Sequence, residues 1–136
     1  MHKSSGRGRM RLTLSFRLCA VVNVLAMLAQ ALFAGEILAG GASGQELHLA
    51  MARFLILWGV LQVAFAVAMK AKNLCPRWLL ASAGGVLLAE ILEFGLGKTN
   101  HVLLHVPLAV AIFGGTVRQL LWATQMRNRV AIEEAR

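Results

Sequence analysis

Four long apolar stretches constrain the fold of this chain more than any other feature. They lie at approximately residues 18–38, 49–69, 78–96 and 101–123. Each is near the ~20 residues that a helix needs to cross ~30 Å of hydrocarbon. The stretches are continuously apolar rather than alternating, which argues against a transmembrane β-barrel. Their short connections leave no room for a soluble domain. The sequence therefore predicts one all-α integral membrane domain over residues 1–136, an up-down bundle of four transmembrane helices.

The composition supports this class, because 58% hydrophobic and 15% charged residues exclude an ordinary water-soluble domain. Twelve of the fourteen basic residues lie in segments 1–17, 70–77 and 118–136. In membrane proteins, lysine and arginine concentrate in the short loops on the cytoplasmic side of the membrane. The distribution predicts a multi-pass protein of the bacterial inner (plasma) membrane, with both termini and the basic tails 1–17 and 124–136 cytoplasmic.

The net charge of +8 is explained by this topology and by anionic lipid headgroups. The basic residues are scattered over three short segments without interleaved aromatic residues, so a nucleic-acid partner is not expected. A secretory signal remains the alternative for the first segment, because Ala29-Gln30-Ala31 has the small-residue pattern of a cleavage site. The length of that segment, and the placement of Asn23 and Gln30 on one helical face, favour a retained helix.

Two acidic residues interrupt the third apolar stretch. Glu90 and Glu93 lie three residues apart, on one helical face. A charged carboxylate inside a bilayer costs several kcal/mol unless it faces protein, water, a metal or a cation. Counting from the predicted outer ends places Gln30 of the first helix at a comparable depth. These three residues predict a polar pocket that opens to the outer side, with Arg53 as a candidate ion-pair partner of Glu93.

The histidines at the starts of the second and fourth helices suggest a haem site. Helices 2 and 4 are diagonal in an up-down bundle, so His48 and His105 could ligate one iron from opposite sides. Arg53 and Lys98 are candidate partners for the propionates. Such a site binds b-type haem and favours electron transfer. The alternative is that both histidines are interfacial or hydrogen-bonded residues without a cofactor.

Two further hypotheses stay open. Zinc, iron or manganese without a porphyrin could be held by the third and fourth helices through Glu90, Glu93, His101 and His105. Alternatively, Glu90 and Glu93 could serve proton or solute handling. Broken helices or internal repeats would favour a transporter, and we find neither clearly. No nucleophile, base and oxyanion site can be assembled, so no enzymatic activity of the chain alone is predicted.

Cysteine chemistry does not contribute to a predicted site. Cys19 and Cys75 fall at the predicted cytoplasmic edge, where thiols stay reduced. The absence of a Cys-x-x-Cys motif disfavours a quinone-reducing thiol oxidoreductase of the four-helix type.

Short motifs at two helix starts resemble those of small uncharacterised four-helix bacterial membrane proteins, which carry one histidine at each place. The motifs are Glu46-Leu47-His48 and Leu104-His105-Val106-Pro107. More distantly, the layout is similar to the halves of haem A synthase and to membrane cytochromes b. This resemblance covers residues 18–123 and implies a haem-bearing bundle. Glu90 departs from it, since those small proteins tend to have an uncharged polar residue there, and Glu93 is not implied by it.

Taken together, these observations predict a small membrane protein with an outer polar pocket, which binds haem b through His48 and His105 for electron transfer. Its expected partners are the lipid bilayer and either other membrane subunits or a redox partner. The alternative is a cofactor-free accessory subunit, or a small proton- or solute-handling protein that uses Glu90 and Glu93.

Overall fold

A computed structural model describes the backbone of residues 3–134 and the side chains of residues 8–126. Every element in this part of the chain is helical, as the sequence predicts. The helices are α1 (Lys3–Leu38), α2 (Gly44–Ala71), α3 (Arg77–Lys98) and α4 (Val102–Glu134). Each contains a stretch that is long and apolar enough to cross a membrane.

The helices are longer than the predicted apolar segments. Helix α1 begins at Lys3 and α4 ends at Glu134, so the predicted tails 1–17 and 124–136 continue the helices wherever the structure describes them. Hydropathy marks only the apolar part of a helix, whereas helix formation continues until the backbone is interrupted. No proline occurs in either tail, and arginine and methionine are good helix formers.

The three connections are tight turns that rely on left-handed backbone positions. Gly40 follows α1 with a φ of +79°, and Asn73 and Asn100 follow α2 and α3 with φ of 54° and 57°. Glycine and asparagine adopt this conformation more readily than other residues. Pro76 then precedes α3, where its missing backbone donor has no consequence. Such short turns make consecutive helices antiparallel neighbours.

Each helix packs against two others. The contacting pairs are α1–α2, α2–α3, α3–α4 and α1–α4, and within residues 3–134 the diagonal pairs α1–α3 and α2–α4 have no close backbone contact. This is the predicted up-down bundle. Connections 39–43 and 99–101 share one end, which we call the turn end. Connection 72–76 lies at the opposite end, which we call the terminal end.

Large apolar side chains cover the outside of the bundle. Leu25, Leu32, Leu57, Leu103 and Val110 are each more than half exposed. A water-soluble protein rarely exposes apolar surface so extensively. The outward leucines, together with four membrane-length helices, indicate a lipid bilayer as the environment.

The two helical hairpins repeat one pattern of buried positions, which the sequence search for repeats missed. On α2 and α4 the buried positions correspond at a shift of 57 residues: Leu55, Gly59, Gln62 and Ala66 match Ile112, Thr116, Gln119 and Ala123. On α1 and α3 the shift is 63 residues: Phe16, Ala20, Asn23 and Met27 match Leu79, Ala83, Val86 and Glu90. Hairpin α1–α2 and hairpin α3–α4 are therefore related by an approximate twofold axis along the bundle.

Two apolar clusters hold the bundle together. The first lies toward the terminal end and combines Phe16, Met69, Leu79 and Ala123 with the partly buried Trp78 and Trp122. The second lies nearer the turn end and is formed by Ala26, Met27, Leu55, Val86 and Ile112. Polar side chains are buried next to the second cluster, and they define the candidate site.

Candidate functional site

The imidazole of His48 is held by α1. Its Nδ1 lies 3.2 Å from the backbone oxygen of Gln30, and its Nε2 lies 3.3 Å from Nε2 of the Gln30 side chain. These contacts suit one tautomer, in which Nδ1–H donates to the carbonyl and Nε2 accepts from the amide. Gln30 therefore fixes both the orientation and the tautomer of His48.

The imidazole of His105 is held in the same way by α3. Its Nδ1 lies 3.2 Å from the backbone oxygen of Glu93 and 3.0 Å from the Glu93 carboxylate oxygen Oε1. Gly97 leaves room for the ring, because a Cβ at that position would lie 3.1 Å from Cε1 of His105. Within residues 8–126, Nε2 of His105 has no hydrogen-bond partner.

The two histidines face each other across the bundle. Their ring centroids are 6.2 Å apart, although α2 and α4 are diagonal helices without close backbone contact. His48 and His105 also differ by the 57 residues that relate α2 to α4. Gln30 and Glu93 differ by the 63 residues that relate α1 to α3. The approximate twofold axis thus passes between two equivalent, similarly supported imidazoles.

Glu90 lies one turn from Glu93, deeper in the bundle. Its side chain is 5% exposed, and neither carboxylate oxygen has a hydrogen-bond partner among the residues that the structure describes. It packs against α2 at Gly59, where an added Cβ would lie 2.5 Å from Oε2 of Glu90. The carboxyl group therefore occupies space that any larger residue at position 59 would fill.

A chain of buried polar side chains connects all four helices farther from the turn end. Asn23 of α1 donates to Gln62 of α2 at 2.8 Å, Gln62 donates to Gln119 of α4, and Gln119 donates to Ser82 of α3 at 3.0 Å. We call these four residues the amide chain. The sequence predicts that Asn23 lies on an inward face of the first helix, but it does not predict the participation of Ser82 or the connection across the four helices. The repeated spacing of 14 residues, from His48 to Gln62 and from His105 to Gln119, is the signal that was available.

Other predicted site residues are not brought to the pocket. Arg53 is exposed on α2, and the expected Arg53–Glu93 ion pair does not form, because His105 is the partner of Glu93. Lys98 lies 5.0 Å from the ring centroid of Phe94. His101 is exposed at the start of α4.

The alternative set of Glu90, Glu93, His101 and His105 is not assembled. Only Glu93 and His105 touch, and the side chains of residues 8–126 contain no group of three or more His, Cys, Asp or Glu placed to hold a metal ion.

Both cysteines are free and buried. Burial raises the pKa of the Cys75 thiol in the α2–α3 connection, although nearby Lys70 acts in the opposite direction. Its thiol points at the backbone oxygen of Ala66 at 3.8 Å. The cysteines therefore add packing rather than reactive groups.

Comparison with protein families, curated proteins and solved structures finds no match to this chain.

Proposed function

We propose that the turn-end pocket binds b-type haem through His48 and His105, and that the protein is a small electron-transfer component of a membrane. The observation that supports this most directly is the pair of facing imidazoles, whose centroids are 6.2 Å apart. One metal ion about 2 Å from a nitrogen of each ring holds two imidazoles at roughly this separation. The two residues also come from diagonal helices.

The contacts around the histidines suit axial ligands. A ligating imidazole usually donates its second N–H to a carbonyl or carboxylate, which fixes the tautomer and raises its basicity. Nδ1 of His48 meets the carbonyl of Gln30, and Nδ1 of His105 meets both the carbonyl and the carboxylate of Glu93. Nε2 is then the ligand nitrogen of each ring. In His48 it must exchange the Gln30 amide for the iron.

Bound haem supplies one-electron redox chemistry, and two imidazole ligands leave no iron position open to oxygen. The protein's own part is to orient the imidazoles and to exclude water through the second apolar cluster. With haem bound, His105 would be the more electron-donating ligand, because its Nδ1 lies 3.0 Å from the Glu93 carboxylate in addition to its hydrogen bond with the Glu93 carbonyl. Gln30 provides only a neutral partner on the other side.

The proposed setting is the bacterial plasma membrane with both termini cytoplasmic. It is supported by the lysines and arginines, which concentrate at the terminal end. The pocket then opens to the outer side, where a redox partner or another membrane subunit would exchange electrons with it. The lipid bilayer contacts the exposed leucines.

An absorption spectrum of protein purified from haem-replete cells tests the proposal. We expect a Soret band in the wild type that is lost in His48→Ala and in His105→Ala. His101→Ala is the matched control, because His101 lies at the same helix start but is exposed. That variant should keep the band.

A colourless wild-type preparation that is fully helical by circular dichroism would contradict haem binding. It would favour the alternative of a cofactor-free accessory subunit, or of proton or solute handling. Metal analysis of the same sample distinguishes a metal ion bound without a porphyrin.

A further inference from the structure

Glu90 marks the place where the two hairpins differ most in chemistry. Its counterpart on α1 is Met27, and Gly59, which it packs against, has Thr116 as its counterpart on α4. At these equivalent buried positions, α1 therefore has an apolar residue and α3 has an acid. Gly59 leaves space for the carboxyl group of that acid. Packing alone does not explain why Glu90 is an acid, because methionine fills the equivalent position 27 in the other hairpin.

The surroundings of Glu90 are rich in hydrogen-bond acceptors. Six buried side-chain oxygens have no hydrogen-bond partner among the described residues. Three of them are Oε1 and Oε2 of Glu90 and Oδ1 of Asn23, and the other three are Oε1 of Gln30 and both carboxylate oxygens of Glu93. Asn23 lies beside Glu90 and is fully buried, and its amide nitrogen donates to Gln62. Unpaired buried acceptors are strongly unfavourable, and more so at membrane depth. Asn23 is the one neighbour that can hydrogen-bond to Glu90 among the described residues, and it already donates to Gln62, so the site has more acceptors than donors and still lacks one donor.

No basic side chain supplies that donor. The partly buried titratable groups at the turn end of the helices are Glu36 on α1, His48 on α2, Glu93 on α3 and His105 on α4, and α1 also contributes the amides Asn23 and Gln30. Within the described side chains, the one ion pair at this end joins Glu93 to His105. Arg53 is exposed. The missing positive charge must therefore come from solution.

We propose that Glu90 and Asn23 form a binding site for one exchangeable proton. With a proton on one carboxyl oxygen, Glu90 donates to Oδ1 of Asn23, so a single added atom satisfies both residues. The proton comes from water at the turn end and returns to water, and no electron moves.

Exchange with the turn end follows the face of α3. Glu93 lies one turn above Glu90 on the same face and its side chain is 15% exposed, compared with 5% for Glu90 as a residue. On the other side, Asn23 begins the amide chain, in which every side-chain nitrogen and oxygen except its own Oδ1 has at least one hydrogen-bond partner. The amide chain holds Asn23 in place, and the proton site ends there.

Infrared spectroscopy of the full-length protein in phosphatidylcholine vesicles tests this inference. At neutral pH, we expect a carbonyl band of a protonated carboxylic acid that shifts in D2O and is lost in Glu90→Gln. Glu46→Gln is the matched control, because Glu46 is exposed on α2, and it should keep the band. In Asn23→Val, which introduces the residue found at position 86, the band should move to higher frequency because its hydrogen bond is lost.

Identical spectra of the wild type and Glu90→Gln at every pH at which both are folded would overturn the proposal. Loss of the band on addition of sodium at constant pH would overturn it too, since the site would then take a metal ion. The measurement does not depend on haem, because a colourless preparation can still show the band.

Discussion

The buried amides show how individual residues set the alignment of this bundle. Gln62 and Gln119 occupy equivalent positions of the two hairpins and bond to each other between diagonal helices. Apolar packing in a membrane has little preference for one axial position of a helix over another, since lipid tails are as apolar as leucine. A hydrogen bond between two side chains, in contrast, forms at only one axial position of the two helices. The amide chain therefore fixes how far each helix is shifted along its neighbours.

Replacing either glutamine by methionine should destabilise the protein by about 1 kcal/mol, because an interhelical hydrogen bond in a membrane protein contributes about 0.6 and at most about 1.7 kcal/mol. The double variant Gln62→Met/Gln119→Met should lose less than the sum of the two single changes, since neither residue is then left facing an unpaired partner. Unfolding by sodium dodecyl sulfate, followed by circular dichroism, measures this. Gln125→Met, at an exposed position, is the control. Strict additivity of the two changes would show that the bond does not couple them.

At the scale of the elements, glycines decide where α2 and α3 approach. Gly59 meets the Glu90 carboxyl and Leu87, whereas Gly84 of α3 has nothing within 4 Å of an added Cβ. Both are interior helix positions, where alanine is intrinsically more favourable than glycine by about 1 kcal/mol. The same substitution should therefore have opposite effects at the two places.

Gly59→Ala should lower stability by about 1–3 kcal/mol, as overpacking does, because the buried carboxyl must move. Gly84→Ala should raise it by up to about 1 kcal/mol. In a Glu90→Ala background the clash is absent, so Gly59→Ala should become neutral or stabilising. Thermal unfolding in detergent measures all four variants. A loss that persists without Glu90 would assign the close approach to Leu87 instead.

At the scale of the whole molecule, the two ends of the bundle differ in the side chains that they carry. The turn end carries His48, His105, Glu90 and Glu93, and the terminal end carries the aromatic residues of the first apolar cluster. The lysines and arginines follow the same division, since eleven of the thirteen within residues 3–134 lie toward the terminal end. This asymmetry predicts one orientation in the membrane.

Single cysteines introduced into Cys19→Ala/Cys75→Ala protein should report this orientation. We expect Ala42→Cys, in the α1–α2 connection, to react with a membrane-impermeant maleimide in intact cells. Lys72→Cys, in the α2–α3 connection, should react only after the cells are opened. Both positions are exposed, so accessibility within the protein does not distinguish them. Labelling in the reverse order would invert the topology and place the pocket on the cytoplasmic side.

Much of the fold could be predicted from the sequence, because long apolar segments between glycine, asparagine and proline turns permit few alternatives. The approach of His48 and His105 was also predictable, since helices 2 and 4 of an up-down bundle are diagonal. The repeat was harder to predict, because several equivalent positions share burial but not residue type: Asn23 matches Val86, Met27 matches Glu90, and Gly59 matches Thr116. The expected Arg53–Glu93 ion pair does not form, because charge and depth do not report the rotation of α2, which leaves Arg53 exposed.

The sequence by itself determined the number of helices, their lengths within the apolar segments and the suitability of the chain for a bilayer. These properties depend on local composition, and hydropathy reports them directly. Only the tertiary structure decided which polar groups meet: Gln30 with His48, Glu93 with His105, and the amide chain across four helices. Helix rotation and axial shift set those contacts. Inward and lipid-facing surfaces are both apolar, so hydropathy does not encode them.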